Sequence, residues 1–109
     1  MSPKSKPTRT GPRVCGIADA LGLVGDRWAL LVLRELGFGV HRFNEIQINT
    51  GAPRDSLATR LRDLEQAGLI ARHQYSEHPP RDEYVLTGAG EALGPALREL
   101  RTWGETYAR

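Results

Sequence analysis

A single cysteine, Cys15, stands in the 109 residues, so no disulfide can close within the chain. That usage fits a reducing compartment. No apolar run approaches the roughly 20 residues of a membrane-crossing helix, which argues against a membrane span. The opening stretch MSPKSKPTRTGPR has no apolar centre of the kind a secretory signal carries. Together these absences read as a cytoplasmic protein. Catalytic signatures are missing as well. The glycines do not fall into a phosphate-cradling loop, no nucleophile elbow is present, and no two carboxylates share one face. His73, Glu77 and His78 do not converge at metal-ligand spacing. An enzyme needs titratable groups converging on a buried pocket. We therefore expect no enzyme, no cofactor and no metal.

What remains is a chain long enough for one domain with a modest core. Apolar residues make up 39% and charged residues 26%, a balance that favours a folded globular protein. The charge is unevenly placed. Residues 1–13 hold Lys4, Lys6, Arg9 and Arg13 and no acid, a charge of +4, whereas the other ninety-six hold eleven bases and thirteen acids, −2. The first thirteen residues read as a flexible basic tail and 14–109 as the folded domain. A nucleic-acid partner would have to meet a local basic patch, helped by the tail and by doubling of the chain.

Along the domain, VCGIADALGLVG reads as a short helix with Ile17, Leu21 and Val24 on one face. Asp26 can cap a second helix, DRWALLVLREL, with Gly37 as its stop. Its apolar residues surround it, so it should lie at the centre of the fold. A short helix follows from Arg42 to about Ile48, with Phe43 and Ile46 inward, and Asn49-Thr50-Gly51 is turn chemistry. Pro53 suits the first position of the next helix, which should run to about Ala67 with Gly68 as stop. There Leu57, Leu61 and Leu64 form one narrow stripe, while Asp55, Ser56, Thr59, Arg62, Asp63 and Gln66 point away. LIARHQY and EYVL alternate as two strands of a hairpin, with His78-Pro79-Pro80-Arg81 as its stiff tip. Thr87 can cap a closing helix, in which Pro95 demands a kink or a restart. Leu97, Leu100, Trp103 and Tyr107 then follow a three-four spacing with more apolar surface than a small domain covers. The fold class is thus mainly α with a small β-hairpin (α+β). It is a winged helix-turn-helix with terminal dimerisation helices. The helix-turn-helix spans about 42–67, the wing about 69–87 and the last helix about 88–108.

These residues also resemble a known family. Cys15 before the first helix, DRWALLVLREL, RFNEI, LATRLRDLEQAGLIAR, PPRDEYVLTGAGEAL and LRTWG are similar, in that order, to the HxlR family of transcription regulators, relatives of the MarR group. The likeness spans about residues 14–105. It implies a homodimer that binds double-stranded operator DNA, with the terminal helices building the dimer. Two positions depart from the family pattern. The family usually opens its recognition helix with a Ser cap and a basic residue, and this chain has Ala52-Pro53-Arg54-Asp55. Gly16 stands after Cys15 where the family often has Pro.

Residue roles follow from DNA chemistry. A helix enters the major groove with its N-terminal half nearest the base edges, so Arg54, Ser56, Thr59 and Arg60 are candidate groove contacts. Arg42 and Asn44 are candidate backbone contacts, which position without reading sequence. His78 and Arg81 would carry the wing to a flanking phosphate or minor groove. Ile17, Leu21, Leu97, Leu100, Trp103 and Tyr107 are the candidate dimer seam. Cys15 has two readings. A thiol at a helix start beside Arg13 can be a reactive redox or electrophile sensor, and the resemblance adds that some members sense with a cysteine in this region. The other reading is a small residue packed at the seam. Two further functions stay open, a winged-helix module that contacts protein, and a regulator answering a small-molecule effector that the sequence does not identify.

Overall fold

The computed structural model describes residues 11–109; Lys4, Lys6 and Arg9 of the expected tail lie outside them. The order of elements is α1 (Gly16–Val24), α2 (Ala29–Gly37), α3 (Phe43–Thr50), α4 (Arg54–Gln66), β1 (Ile70–Glu77), β2 (Pro80–Leu86), α5 (Gly88–Glu91) and α6 (Gly94–Tyr107). The two strands pair antiparallel. Helix α2 sits at the centre, as its apolar circumference implies. Ala29, Val32, Leu33 and Leu36 are buried together with Ile46 from α3, Leu57, Leu61 and Leu64 from α4, and Leu69 and Ile70 at the wing's base.

Several boundaries differ from the sequence reading, each for a local reason. The Ala29 amide donates to Asp26 Oδ1 at 2.8 Å, so Asp26 does cap the start of α2, but a turn intervenes and the regular helix begins at Ala29. Gly37 is still helical. The stop is Gly39, which takes φ +89° and lets the Val40 amide reach back to the Glu35 carbonyl at 3.0 Å. Helix α4 ends the same way, with Gly68 at φ +80° and Leu69 N–H on the Leu64 carbonyl. Only glycine holds that left-handed conformation without steric cost, and it satisfies carbonyls the helix end would leave open. Pro53 is the cap of α4, not its first residue. Its backbone is still extended (ψ 146°), and its carbonyl accepts the first helical bond, from Leu57.

The wing also departs from expectation. Pro80 does not end a strand but opens β2 opposite Glu77, a first position where its missing N–H costs nothing. Only His78 and Pro79 form the turn, and Arg81 lies in β2 opposite Ser76. The register shifts between Gln74 and Ser76, leaving Tyr75 as the extra residue of a bulge. Pro95 brings about the expected restart: α5 is a single turn capped by the Thr87 hydroxyl, and α6 begins at Gly94 with proline in its first turn.

Candidate nucleic-acid interface

The helix-turn-helix is held by its own polar stitching. Gly51 turns the chain at φ +77°. Thr50 Oγ1 donates to the Ile46 carbonyl at 2.8 Å and accepts from the Ala52 amide at 3.2 Å. Beneath the turn lies the buried carboxylate of Glu35. It accepts from Arg34 Nε and from Asn49 Nδ2, both at 2.8 Å, and Arg34 Nη2 also donates to the Asn49 carbonyl. A buried charge is tolerable only when paired and hydrogen-bonded in this way. The result ties the end of α3 to α2 and sets the angle at which the chain enters α4.

Helix α4 buries Leu57, Leu61 and Leu64 and turns its other side outward. Arg54 and Asp55 are exposed at its start, and Ser56 and Thr59 are half-buried one turn further on. The Arg54 guanidinium lies 4.9 Å from the centre of the Phe43 ring, a cation–π contact, and has no ion-pair partner among the described residues. Arg60 is different. Its Nε is 3.3 Å from Asp26 Oδ2 and its Nη2 is 2.8 Å from Asp63 Oδ2. Arg62, exposed on the same helix, has no ion-pair partner among the described residues.

The wing is joined to this unit at its base. The Tyr84 amide donates to the His41 carbonyl and His41 Nδ1 donates to the Tyr84 carbonyl, both at 2.8 Å, so the imidazole carries a proton on Nδ1. Arg42 pairs with Glu83 across an isolated bridge, and its guanidinium sits 4.1 Å from the Tyr75 ring centre and 3.9 Å from the Glu83 carboxylate. The bulge residue Tyr75 therefore serves as a platform for Arg42. Asn44 is exposed beside it, and His78 and Arg81 are exposed toward the tip, where Arg81 has no ion-pair partner among the described residues. Arg54, Asn44, Ser56 and Thr59 thus share the helix-turn-helix, and His78 and Arg81 stand apart on the wing. Neither the Asp26–Arg60 pair nor the Arg42–Tyr75 stack was visible in the sequence, because each joins residues from separate elements with no periodic signal linking them.

The terminal helices present a second surface. Ile17 is 75% exposed, Leu21 58%, Trp103 58% and Tyr107 72%. Leu100 is exposed too, and the Trp103 and Tyr107 rings are 5.4 Å apart. Leu97 differs from its stripe-mates, since it is half-buried and packs toward the core. Cys15 is exposed, and its Sγ caps α1 by accepting from the Ala18 amide at 3.4 Å. An apolar groove of about 440 Å³ lies between α2 and α6, with Leu30, Leu33, Leu86 and Leu97 among its walls and Arg98 and Arg101 beside them.

Three helices around a central α2, a recognition-type helix and a wing hairpin define a winged helix-turn-helix protein. The profile of the HxlR-like helix-turn-helix family matches residues 23–109, and the chain belongs to that family, whose members are transcription regulators and not enzymes. The HTH-type transcriptional regulator Rv3095 of Mycobacterium tuberculosis is 50% identical over 91 residues, covering 84% of this chain and 58% of that protein. The chain therefore spans less than two thirds of that relative's length. Among solved structures, the redox regulator HypR in its oxidized form aligns with a TM-score of 0.76 at 31% identity, covering 84% of this chain and 96% of that one. The reduced transcriptional regulator YodB of Bacillus subtilis aligns at 0.71 and 32% identity, covering 87% and 95%. Among the described residues no helix is long and apolar enough to cross a membrane.

Proposed function

We propose that the protein is a cytoplasmic, sequence-specific regulator of transcription that binds a pseudo-palindromic operator as a homodimer. The observation that carries this reading is α4 itself. A thirteen-residue helix buries only one stripe, follows a left-handed turn, and leads directly into a wing, the arrangement that fits a major groove. Arg54, Ser56 and Thr59 are the groove contacts, with Arg54 the residue that distinguishes bases. Asn44 and the exposed part of Arg42 meet the backbone, and His78 and Arg81 bring the wing to flanking phosphates. Because Arg42 is stacked on Tyr75, its larger task is to hold the wing at its angle. The uncovered faces of α1 and α6, with Ile17, Leu21, Leu100, Trp103 and Tyr107, form the subunit seam.

In vitro selection of duplex fragments tests this reading. Enrichment of a two-fold-related motif, bound with an affinity that falls steeply with salt, is the expected result. Failure to enrich any duplex, with capture of a protein partner instead, would favour the protein-interaction reading. Cys15 is the proposed point of redox control, because its thiol is exposed at the cap of a seam helix and two structural neighbours are known in redox-defined forms. Diamide would take two electrons and two protons from a pair of thiols. With a single cysteine per chain, the disulfide must join two subunits or a subunit and a small thiol. Operator binding should weaken on that treatment, and Cys15→Ser should abolish the response. The alternative of a small-molecule effector has the groove between α2 and α6 in its favour.

A further inference from the structure

Arg60 and Asp26 form a bracket between the start of α2 and the middle of α4. We infer that Asp26 is a positioning residue for DNA recognition, acting through Arg60, and that Arg60 does not itself touch DNA. This inference rests on the DNA-binding reading above.

The geometry gives Asp26 two simultaneous tasks. Oδ1 accepts from the Ala29 amide at 2.8 Å and Oδ2 lies 3.3 Å from Arg60 Nε. The carboxylate is thus immobilised by the helix it caps before it meets Arg60. Its backbone is equally constrained. The Gly25 amide donates to the Leu21 carbonyl at 2.9 Å, and a side chain at Gly25 would collide with that carbonyl, so the residue before Asp26 has to be glycine. On the other side, Arg60 Nη2 is fixed at 2.8 Å by Asp63 on its own helix. The guanidinium is a rigid planar fork, so with Asp63 setting its orientation on α4, the contact from Nε to Asp26 constrains how α4 sits against the start of α2.

Where the bracket acts matters. A small cleft lined by Asp26, Trp28, Asp55, Ser56, Thr59 and Arg60 lies between the two helices, so the bracket borders the stretch of α4 that carries the proposed groove contacts. A lone half-exposed ion pair contributes little to stability. A pair whose carboxylate is already held by a cap loses less side-chain freedom on forming, and here its effect falls on orientation. Base-edge hydrogen bonds tolerate little misplacement, so a small rotation of α4 weakens them all. To reach a phosphate, Arg60 would have to leave two carboxylates at once.

The two roles for Arg60 predict opposite results. If it is a DNA contact, Asp26 competes with the phosphate, and Asp26→Asn should leave binding unchanged or tighten it. Arg60→Gln should then lower the salt slope by about one, as expected for a lost phosphate contact. If the bracket positions α4, Asp26→Asn and Arg60→Gln should each weaken binding by roughly fivefold to thirtyfold, which lies within the range for coupled neighbours. Both should keep the wild-type salt slope, and the double variant should bind no worse than the weaker single one. Asparagine and serine are both good helix caps, so Asp26→Asn and Asp26→Ser keep the cap while removing the charge. Fluorescence anisotropy of the selected duplex at four salt concentrations reads these outcomes, with Arg81→Ala as the reference for a reduced slope. Circular dichroism checks that each variant folds. If neither Asp26 variant folds, Arg60→Gln decides alone, since loss of affinity at constant slope supports the bracket and a flattened slope overturns it. Wild-type protein that selects no duplex would remove the DNA reading and this inference with it. Wild-type binding together with a harmless Asp26→Asn would remove the inference alone.

Discussion

Leu57, Leu61 and Leu64 on α4 and Leu100, Trp103 and Tyr107 on α6 are stripes of the same helical spacing with opposite fates. The first three are 2% exposed or less, whereas the others are 52%, 58% and 72% exposed. Periodicity announces that a face is apolar; it does not say what covers it. On α4 the cover is α2 and the base of the wing in the same chain. On α6, where no residue is buried, the cover has to come from outside the described fold, and a second copy of the chain is the cover proposed here. The helix-turn-helix half therefore carries its own core, while the terminal helices leave an apolar face exposed, which the proposed second copy would cover.

The most damaging way to break the first half is Leu61→Ala. A fully buried leucine truncated in a close-packed core costs about 2–5 kcal/mol, and denaturant unfolding should show that loss. The second half is tested by the paired change Trp103→Ala and Tyr107→Ala. Aromatic anchors at an interface are each worth about 2 kcal/mol or more, so sedimentation should show the homodimer giving way to monomer at micromolar concentration, with the circular dichroism of the helix-turn-helix retained. A monomeric wild-type protein would sink the contrast. Arg54→Ala touches neither cover. It should cost about 1–3 kcal/mol on the preferred duplex and relax its sequence preference, whereas Arg81→Ala should weaken all duplexes alike and lower the salt slope by about one. The smallest effect concerns the wing's base. Burial raises the Tyr84 hydroxyl above its ordinary 10.0, with the nearby Arg72 charge opposing it. The folded protein thus holds this proton more tightly than the unfolded chain. Its contribution is complete below about pH 10 and is lost as pH rises through the folded value. Thermal melts between pH 9 and 11.5 should show that alkaline decline, and Tyr84→Phe should make it shallower.

Much of the helix-turn-helix was legible because its signals are local. The stripe of α4, the turn at Gly51, the stop at Gly68, the cap at Thr87 and the restart at Pro95 each depend on residues within a turn or two of one another. The misplaced features were also local, but rested on a choice between neighbours. Gly37 and Gly39 are equally good stops on paper, and only the chain's path after α2 selects Gly39. Pro80 reads as a strand breaker until its place at the first position of β2 is known. The site was legible in composition and not in role. Arg42, Arg54 and Arg60 look alike in the sequence, yet one is stacked on Tyr75, one lies free over Phe43, and one is clamped between Asp26 and Asp63.

The amino-acid order by itself determined the elements, the turns between them and the presence of two apolar stripes more than one small core could use. Those properties follow from backbone sterics and side-chain period, which act over a few residues. Tertiary structure alone decided which arginine is held by carboxylates and which is stacked on an aromatic ring, where the wing is anchored, and which stripe stays bare. Each of those depends on a partner supplied by another element, and the distance between two side chains in space is set by packing that no local pattern encodes.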